Sequence, residues 1–425
     1  MSHKLLLINK YYHDKGPAGG VGRYIVQEVE SLEKKGWEII PFATNDEFVQ
    51  KNTWQHFFVK AHDYSSPRFS LDAISAAISF IWNTEAATNI EQLIIETKPD
   101  IAHLHNIYHH LTPSIIPVLK KYKVPIIMTL HDMRLLCPEM HMLRDNRGCE
   151  ECKDSKVYNA IRYKCVKNST IASILSSIET LHQQKRGLYI NNVDLFLCPS
   201  RFIRDKYISW GYPQEKLIHL PNFVDLDHWN PNHLDPKSIK DNYLYFGRIS
   251  KEKGLLTLLD AQKLWETGHQ LGTITLAPIN LVIAGSGPQE EEVKAYIKKL
   301  KLQTVRMAGA LNIDALRQAL SKAHFSVLPS ECYENGPMAT LESLACSIPV
   351  VGTNIGGIPE SIQDNINGII VPPNDPQGLL EGLIKASKLD KENSAMQARN
   401  WVTEFASRKK HIQRLEDLMF DIIRT

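Results

Sequence analysis

Two doubly wound α/β domains are predicted by this sequence, on three observations. Short apolar runs alternate with helical stretches in both halves; glycine-rich turns follow several of those runs; and the same order of elements starts again after a polar, proline-containing stretch from Asp227 to Asp241. Alternation of this kind is the mark of a mostly parallel sheet covered by helices.

The elements follow in order. Lys4 to Ile8 reads as a strand, followed by a loop ending Gly19-Gly20-Val21-Gly22 and a helix from about Arg23 to Lys35, stopped by Gly36. Trp37–Phe42, Ile101–Leu104 and Val124–Leu130 are further buried strands with helices between them, and Asp194–Cys198 and Leu217–Leu220 close this half. In the second half Tyr243–Phe246 is a strand running into a loop with Arg248 and Lys253. Asn280–Ala284 runs into Gly285-Ser286-Gly287-Pro288 and a helix with an acidic first turn. Phe325–Leu328, Pro349–Gly352 and Gly368–Val371 complete that sheet, and Glu404 to Thr425 reads as one amphipathic helix. The domains expected are 1–225, with a cysteine-rich insertion over 137–168, then 226–403, then a final helix over 404–425. Ligands of such folds bind beyond the carboxyl ends of the strands.

With 425 residues, 43% hydrophobic and 23% charged, the chain has room for two full cores and an ordinary soluble composition. A net charge of +2 excludes nothing by itself, and no nucleic-acid partner is expected, but the charge is uneven: Lys120 to Trp210 holds 16 Lys+Arg against 9 Asp+Glu. That stretch suits an anionic surface or substrate, or simply a solvated face. No run approaches the roughly 18 apolar residues of a membrane span, and Met1–Asn9 reads as a core strand without a signal-peptide cleavage region, so a cytoplasmic protein is expected. Seven cysteines, an odd number, argue against a secreted disulfide scaffold.

The richest stretch is Glu334-Asn335-Gly336-Pro337-Met338-Ala339-Thr340-Leu341-Glu342, which sets two carboxylates across a loop-to-helix junction. Pro337 suits the first helical position, so Glu334 lies in the loop and Glu342 more than a turn inside the helix. Free amides at such a junction, with carboxylates that accept from hydroxyls, suit an anionic or polyhydroxylated ligand.

The run Pro329-Ser330…Glu334…Glu342…Pro349-Val350-Val351-Gly352…Gly356-Gly357-Ile358-Pro359-Glu360 resembles the family-4 retaining glycosyltransferases. Gly19-Gly20-Val21-Gly22-Arg23-Tyr24, His131-Asp132, Pro221-Asn222-Phe223-Val224-Asp225, Gly247-Arg248…Lys253-Gly254 and Gly285-Ser286-Gly287-Pro288 match too, in the family's order. The resemblance covers almost the whole chain. It implies the GT-B fold, with a cleft between two Rossmann-like domains and the last helix returning to the N-terminal one. It also implies transfer of a sugar from a UDP- or GDP-sugar to a saccharide or lipid-linked acceptor in polysaccharide or glycolipid assembly.

Roles follow by the same resemblance. Arg248 and Lys253 would neutralise the leaving diphosphate without a metal, and no Asp-x-Asp metal motif stands where a metal-dependent transferase wants one. Gly19 and Gly20 would admit the phosphate, Gly285 and Gly287 would line the nucleotide pocket, and Glu342 would hold the ribose. Glu334, with Asn335, Gly336, Pro337 and Met338, would hold the donor sugar, and His131 would touch it from the other domain. Asn335-Gly336-Pro337 departs from the family's commonest loop, which leaves sugar preference open. His103 and His105, at another strand end, are acceptor-site residues or simple packing. Retention by front-face attack needs no covalent nucleophile. A GT-B epimerase or phosphorylase, or a non-catalytic nucleotide-sugar scaffold, are the alternatives.

Cys137, Cys149, Cys152 and Cys165 fall at C-x11-C-x2-C-x12-C spacing. Four such thiolates can close a structural zinc site; free thiols or an iron–sulfur cluster are the other readings. The basic half, with Lys120, Lys121, Lys123, Arg162, Lys164 and Lys167, suits peripheral contact with an anionic membrane. Leu71–Trp82 is a candidate amphipathic patch or a buried helix.

Overall fold

The computed structural model describes residues 2–13, 19–61, 77–145, 147–233 and 240–424. Residues 71–76 of the amphipathic candidate and 234–239 of the inter-domain stretch lie outside the described residues. In chain order the strands are β1 (Lys4–Ile8), β2 (Glu38–Phe42), β3 (Thr44–Asn45), β4 (Val59–Lys60), β5 (Ile101–Leu104), β6 (Ile126–Thr129), β7 (Leu143–Arg144), β8 (Arg147–Gly148), β9 (Leu195–Cys198), β10 (Leu217–His219), β11 (Asn242–Phe246), β12 (Asn280–Ala284), β13 (Val305–Gly309), β14 (Ala323–Leu328), β15 (Val350–Thr353) and β16 (Gly368–Val371).

Twelve of them form two six-stranded parallel sheets, each in its own unit, while β3 pairs with β4 and β7 with β8 in two-stranded sheets. The first unit comprises Met1–Met142, Cys149–Leu220 and Ile412–Thr425; the second comprises Leu143–Gly148 and Pro221–His411. The first sheet runs β10-β9-β6-β5-β1-β2 and the second β13-β12-β11-β14-β15-β16. In each, the first strand of the unit lies inside the sheet. The order reverses beside it, between β1 and β5 and between β11 and β14, and loops leaving such a point diverge and open a crevice.

Period-2 side-chain alternation builds the core of the second unit. Tyr243 and Tyr245 of β11 pack with Leu255, Leu258 and Trp265 of the helix Leu255–Gln270. Leu244 and Phe246, pointing the other way, pack with Leu341 and Leu344 of the helix Met338–Ala345. In the first unit Leu5 to Ile8 and Ile126 to Met128 are at most 1% exposed, as strands covered on both faces must be.

Four details differ from the sequence reading. Gly19 and Gly20 belong to the helix Gly19–Lys34 rather than to the loop before it. Strand β13 has no fully buried residue, so no apolar run announces it. Pro337 caps its helix from an extended conformation, ψ 126, rather than occupying the first helical position. The terminal segment is broken: one helix spans Lys391–Phe405 and another Arg408–Ile423, because the Val224 amide donates to the Ala406 carbonyl at 2.8 Å. The Arg408 guanidinium also pairs with Asp225 at 2.7 Å. These bonds hold Pro221–Asp225 in the second unit.

Candidate functional site

In the second unit, the loops after β11, β12 and β14 converge at the carboxyl edge of the sheet. The loop after β11 turns at Gly247 (φ +152), and the Tyr245 hydroxyl donates to the Arg248 carbonyl at 2.6 Å. It is laced to the loop after β12: Gly247 N–H donates to Ala284 O (3.0 Å) and Ile249 N–H to Ser286 O (2.9 Å). A Cβ on Gly285 would strike the Gly247 carbonyl, and one on Gly287 the Ile249 carbonyl. The two glycines are therefore required by the close approach of two backbones. The side chain of Arg248 is exposed.

The chain then makes a 3-10 turn, Lys251–Lys253, closed by Gly254 in the left-handed region (φ +68), where a Cβ would meet the Pro329 carbonyl. That turn delivers Lys253 to the loop after β14. Its ammonium pairs with Glu334 Oε1, which also accepts from Ser330 Oγ at 2.6 Å. Burial works against the Lys253 charge, but the neighbouring Glu334 carboxylate outweighs it and raises the lysine pKa. The Glu334 backbone is equally fixed: its carbonyl accepts from Gly357 N–H at 2.7 Å, and Gly356 (φ +60) passes where a Cβ would collide with it.

Beyond Glu334, Gly336 takes φ +68 and its carbonyl accepts from Asn222 Nδ2 at 2.8 Å, which sets the direction in which Asn335 to Met338 enter the helix. Glu342 lies inside that helix, only 2% exposed. Burial and the adjacent Glu342 carboxylate push the Cys346 thiol up to about 12. The structure thus brings Lys253, Ser330 and Glu334 into one bonded group with Arg248, Gly285 and Gly287 on the abutting loops. It places Glu342 on a buried helix face.

In the first unit, Gly19 (φ +56) and Gly20 open the helix that follows β1, both exposed, with nothing within 4 Å of a Cβ at Gly19. His131 follows β6. Its Nε2 lies 2.9 Å from Nδ1 of His105, which follows β5. His103 and His105 are both fully buried, so they pack rather than line an open acceptor site. His103 Nδ1 is 2.8 Å from Glu28 Oε1, and its Nε2 is 2.8 Å from Thr129 Oγ1. Burial, with the His103 ring as a lesser cause, lowers the His131 pKa to about 3, and burial with the His103 and His131 rings takes His105 well below its usual value. Both imidazoles are neutral at pH 7.

Sequence reasoning missed Glu28. Its signal was available: on the helix Gly19–Lys34 it shares the buried stripe of Tyr24, Ile25, Val29 and Leu32, where an acid has no business without a partner. It also missed Arg134 and Glu179, a buried pair joined by His109 at 3.2 Å, for which the chain carries no local sign.

The four cysteines fall together about Cys152. Burial first, then Cys165 and Cys149, push the Cys152 thiol up to about 11; burial, with Cys152 a smaller cause, pushes Cys137 up to about 12. Amides already aim at two of the sulfurs, Ala160 N–H at Cys152 and Glu139 N–H at Cys137. Among the described residues, the group of potential ligands gathered within 4.8 Å of one another is Glu28, His103 and His105, which does not include the cysteines.

Comparison with known proteins bears on the family and the fold. The family model described as glycosyl transferases group 1 matches residues 232–401, and that of glycosyltransferase family 4 matches residues 18–228. A putative colanic acid biosynthesis glycosyltransferase, WcaL of Escherichia coli K12, is 28% identical over 209 residues, covering 48% of this chain and 50% of that protein. The chain thus spans about half the length of that relative. The N-acetyl-α-D-glucosaminyl L-malate synthase of Bacillus anthracis is 29% identical over 433 aligned positions, 97% of this chain and 96% of that one. Among solved structures, a glycosyltransferase of Rickettsia africae superposes with a TM-score of 0.68 at 16% identity, over 100% of this chain and 99% of that one. Anabaena HepE in complex with UDP and glucose superposes with 0.67 at 15% identity, over 99% of this chain and 100% of that one.

Proposed function

The chain belongs to glycosyltransferase family 4 and has the GT-B fold, and on that premise we propose that it is a retaining, metal-independent transferase moving a sugar from a UDP- or GDP-sugar to a saccharide or lipid-linked acceptor. The observation that carries this reading is the bonded group Lys253–Glu334–Ser330 at the crossover between β11 and β14, with Arg248 exposed on the same loop as Lys253. A relative named for colanic acid biosynthesis and a fold neighbour that binds UDP and glucose support the donor and the polysaccharide context.

In this reading Arg248 and Lys253 lie against the diphosphate and offset the charge that builds on it as the C1–O bond breaks. The acceptor hydroxyl attacks C1 on the face the phosphate leaves, and its proton passes to the departing phosphate oxygen. Glu334 and the amides from Asn335 to Met338 hold the sugar hydroxyls, Glu342 the ribose, and Gly19 and Gly20 admit the phosphates. Cys137, Cys149, Cys152 and Cys165 would hold a structural zinc, which would staple this segment, and the Ala160 and Glu139 amides that aim at Cys152 and Cys137 would donate to those sulfurs. The acceptor side meets an anionic membrane. No helix of the described residues is long and apolar enough to cross one.

Calorimetric titration with UDP, GDP and ADP in EDTA, on wild type and Arg248→Ala, tests the donor site. Tight binding of one nucleotide, weakened about tenfold or more in the variant, is expected, since a charge-assisted bond to phosphate is worth about 1.5–3 kcal/mol. Equal affinity in the variant would overturn the role of Arg248.

A further inference from the structure

We propose that a pocket at the amino edge of the second sheet, lined by Lys240, His324, Ser347 and Lys391, binds the phosphate group of a small free anion. The site is separate from the donor site and stands or falls independently of it.

All of its residues belong to the second unit. Strands β11, β14 and β15 start at this edge, with Asn242 in register with Ala323 and Ser326 with Val350. Lys240 comes just before β11, His324 is the second residue of β14, and Ser347 joins the helix Met338–Ala345 to β15. Lys391 and Ser394 come from the first turn of the helix Lys391–Phe405. These side chains line one pocket, and among the described residues no carboxylate lines it. The acids beside the lysines in sequence are engaged elsewhere. Asp390 accepts from the amides of Glu392 and Asn393 at 3.1 and 3.0 Å, and Asp241 accepts from Asn242 Nδ2 at 2.9 Å.

Two cations from different elements therefore share a concave surface without a counter-ion on it. Burial holds the Lys240 pKa below its usual value, and the Lys391 charge adds to the effect. The His324 ring is lowered by burial first, then by Lys391 and Lys240; its bond to the Lys240 carbonyl and the Asp241 charge work the other way. An anion seated among these groups relieves their mutual repulsion. Two ammoniums match the two charges of a phosphate, which lysine binds as a point charge. Ser347 adds a donor. It takes φ +61 just past a helix end, the position that glycine usually fills. A side chain there costs backbone energy that glycine would not, and what serine brings in exchange is a hydroxyl at the pocket. The dipole of the 15-residue helix that starts at Lys391 has the same sign as the lysines at this end. Strand β14, six residues and roughly 20 Å long, separates the pocket from the loop that holds Glu334. An anion here touches none of Arg248, Lys253 and Glu334.

Calorimetric titration of the full chain with inorganic phosphate at low ionic strength tests the site. Wild type should bind phosphate, and the double variant Lys240→Gln/Lys391→Gln should bind it roughly tenfold or more weakly, as the loss of charge-assisted bonds requires. Arg248→Ala should leave the affinity at the wild-type value. A hexose phosphate titrated beside it identifies the occupant: tighter binding than phosphate assigns a sugar phosphate, and equal binding assigns phosphate alone. An affinity unchanged in the double lysine variant would overturn the proposal. So would an affinity lost in Arg248→Ala, which would put the anion in the donor site. NMR titration of the His324 ring, assigned by the signal lost in His324→Asn, needs no lysine variant. Phosphate should raise its pKa, because a neighbouring anion favours the charged ring. A His324 titration unmoved by millimolar phosphate would overturn the site even if the lysine variant fails to fold.

Discussion

Replacing Glu334 by Gln removes one negative charge and keeps the side chain's shape, so it isolates what the carboxylate does. The pairing with Lys253 and the bond from Ser330 hold that carboxylate at one place on the sheet edge. An amide would still accept from Ser330 but would leave the ammonium without its counter-charge. We expect Glu334→Gln to lose roughly 10²-fold or more in kcat, the scale of one preorganised electrostatic group, measured as sugar released from the donor onto acceptor. Turnover near wild type would refute its role. Arg248, Lys253 and Glu334 were singled out by the family resemblance, and their places in loops that follow strands were legible from the apolar runs before them. The histidine chain was not: Glu28 and His103 are 75 residues apart, and nothing local shows that they meet. Pro337 was misplaced by one position because the grip of Asn222 on the Gly336 carbonyl, 114 residues away in sequence, extends the chain before the helix starts.

At the scale of elements, the helix Thr170–Lys185 is turned inside out. It buries Ser173, Ser176, Ser177 and Thr180 and exposes Ile171, Ile174 and Ile178 at 48%, 38% and 46%. The buried hydroxyls find partners within the unit, Ser177 donating to the Val157 carbonyl at 3.1 Å and Ser173 accepting from Val166 N–H at 3.1 Å. Three isoleucines at spacings of three and four make one stripe. Exposed Arg162, Lys164 and Lys167 flank it in sequence, whereas Lys120 and Lys121 are spent on Asp194 and Glu91. An apolar stripe bordered by cations fits an anionic bilayer surface. Changing the three isoleucines to serine should cut cosedimentation with phosphatidylserine vesicles at least tenfold and leave Tm nearly unchanged, and undiminished binding would rule the stripe out. The cysteine segment makes a second element-scale prediction: purified protein should carry about one zinc per chain, and metal analysis finding none would remove that site. Buried strands were legible as apolar runs. β13 was not, because an edge strand with only half-covered side chains has no such run, and the break at Ala406 was not, because pairing with Val224 overrides helical periodicity.

Across the whole molecule, the two sheets share parallel pairing but differ in strand order, and the reversal beside the first strand of each accounts for where the candidate residues fall. His131, His105 and the helix opened by Gly19 stand at one such edge; Arg248, Lys253 and Glu334 stand at the other. Alternation of strand and helix made the fold class legible, but only the paired backbones give the strand order. The last segment carries the final prediction. Residues from Ile412 on belong to the first unit, although the helix that contains them starts in the second. There Ile412, Leu415, Leu418 and Met419 are at most 6% exposed, Glu416 accepts from the Trp37 ring N–H at 3.0 Å and pairs with Lys35 at 2.6 Å, and Phe420 packs edge-on to His3. Four such side chains contribute on the order of 6–12 kcal/mol, as much as the whole stability of an ordinary domain, about 5–15 kcal/mol. A chain ending at His411 should therefore lose the first unit while keeping the second, whose core uses none of these residues. Limited proteolysis should then cut first within 2–220 and leave a resistant fragment spanning about 221–411. A truncated chain as resistant throughout as the full one would show that the first unit holds its core without the returning segment.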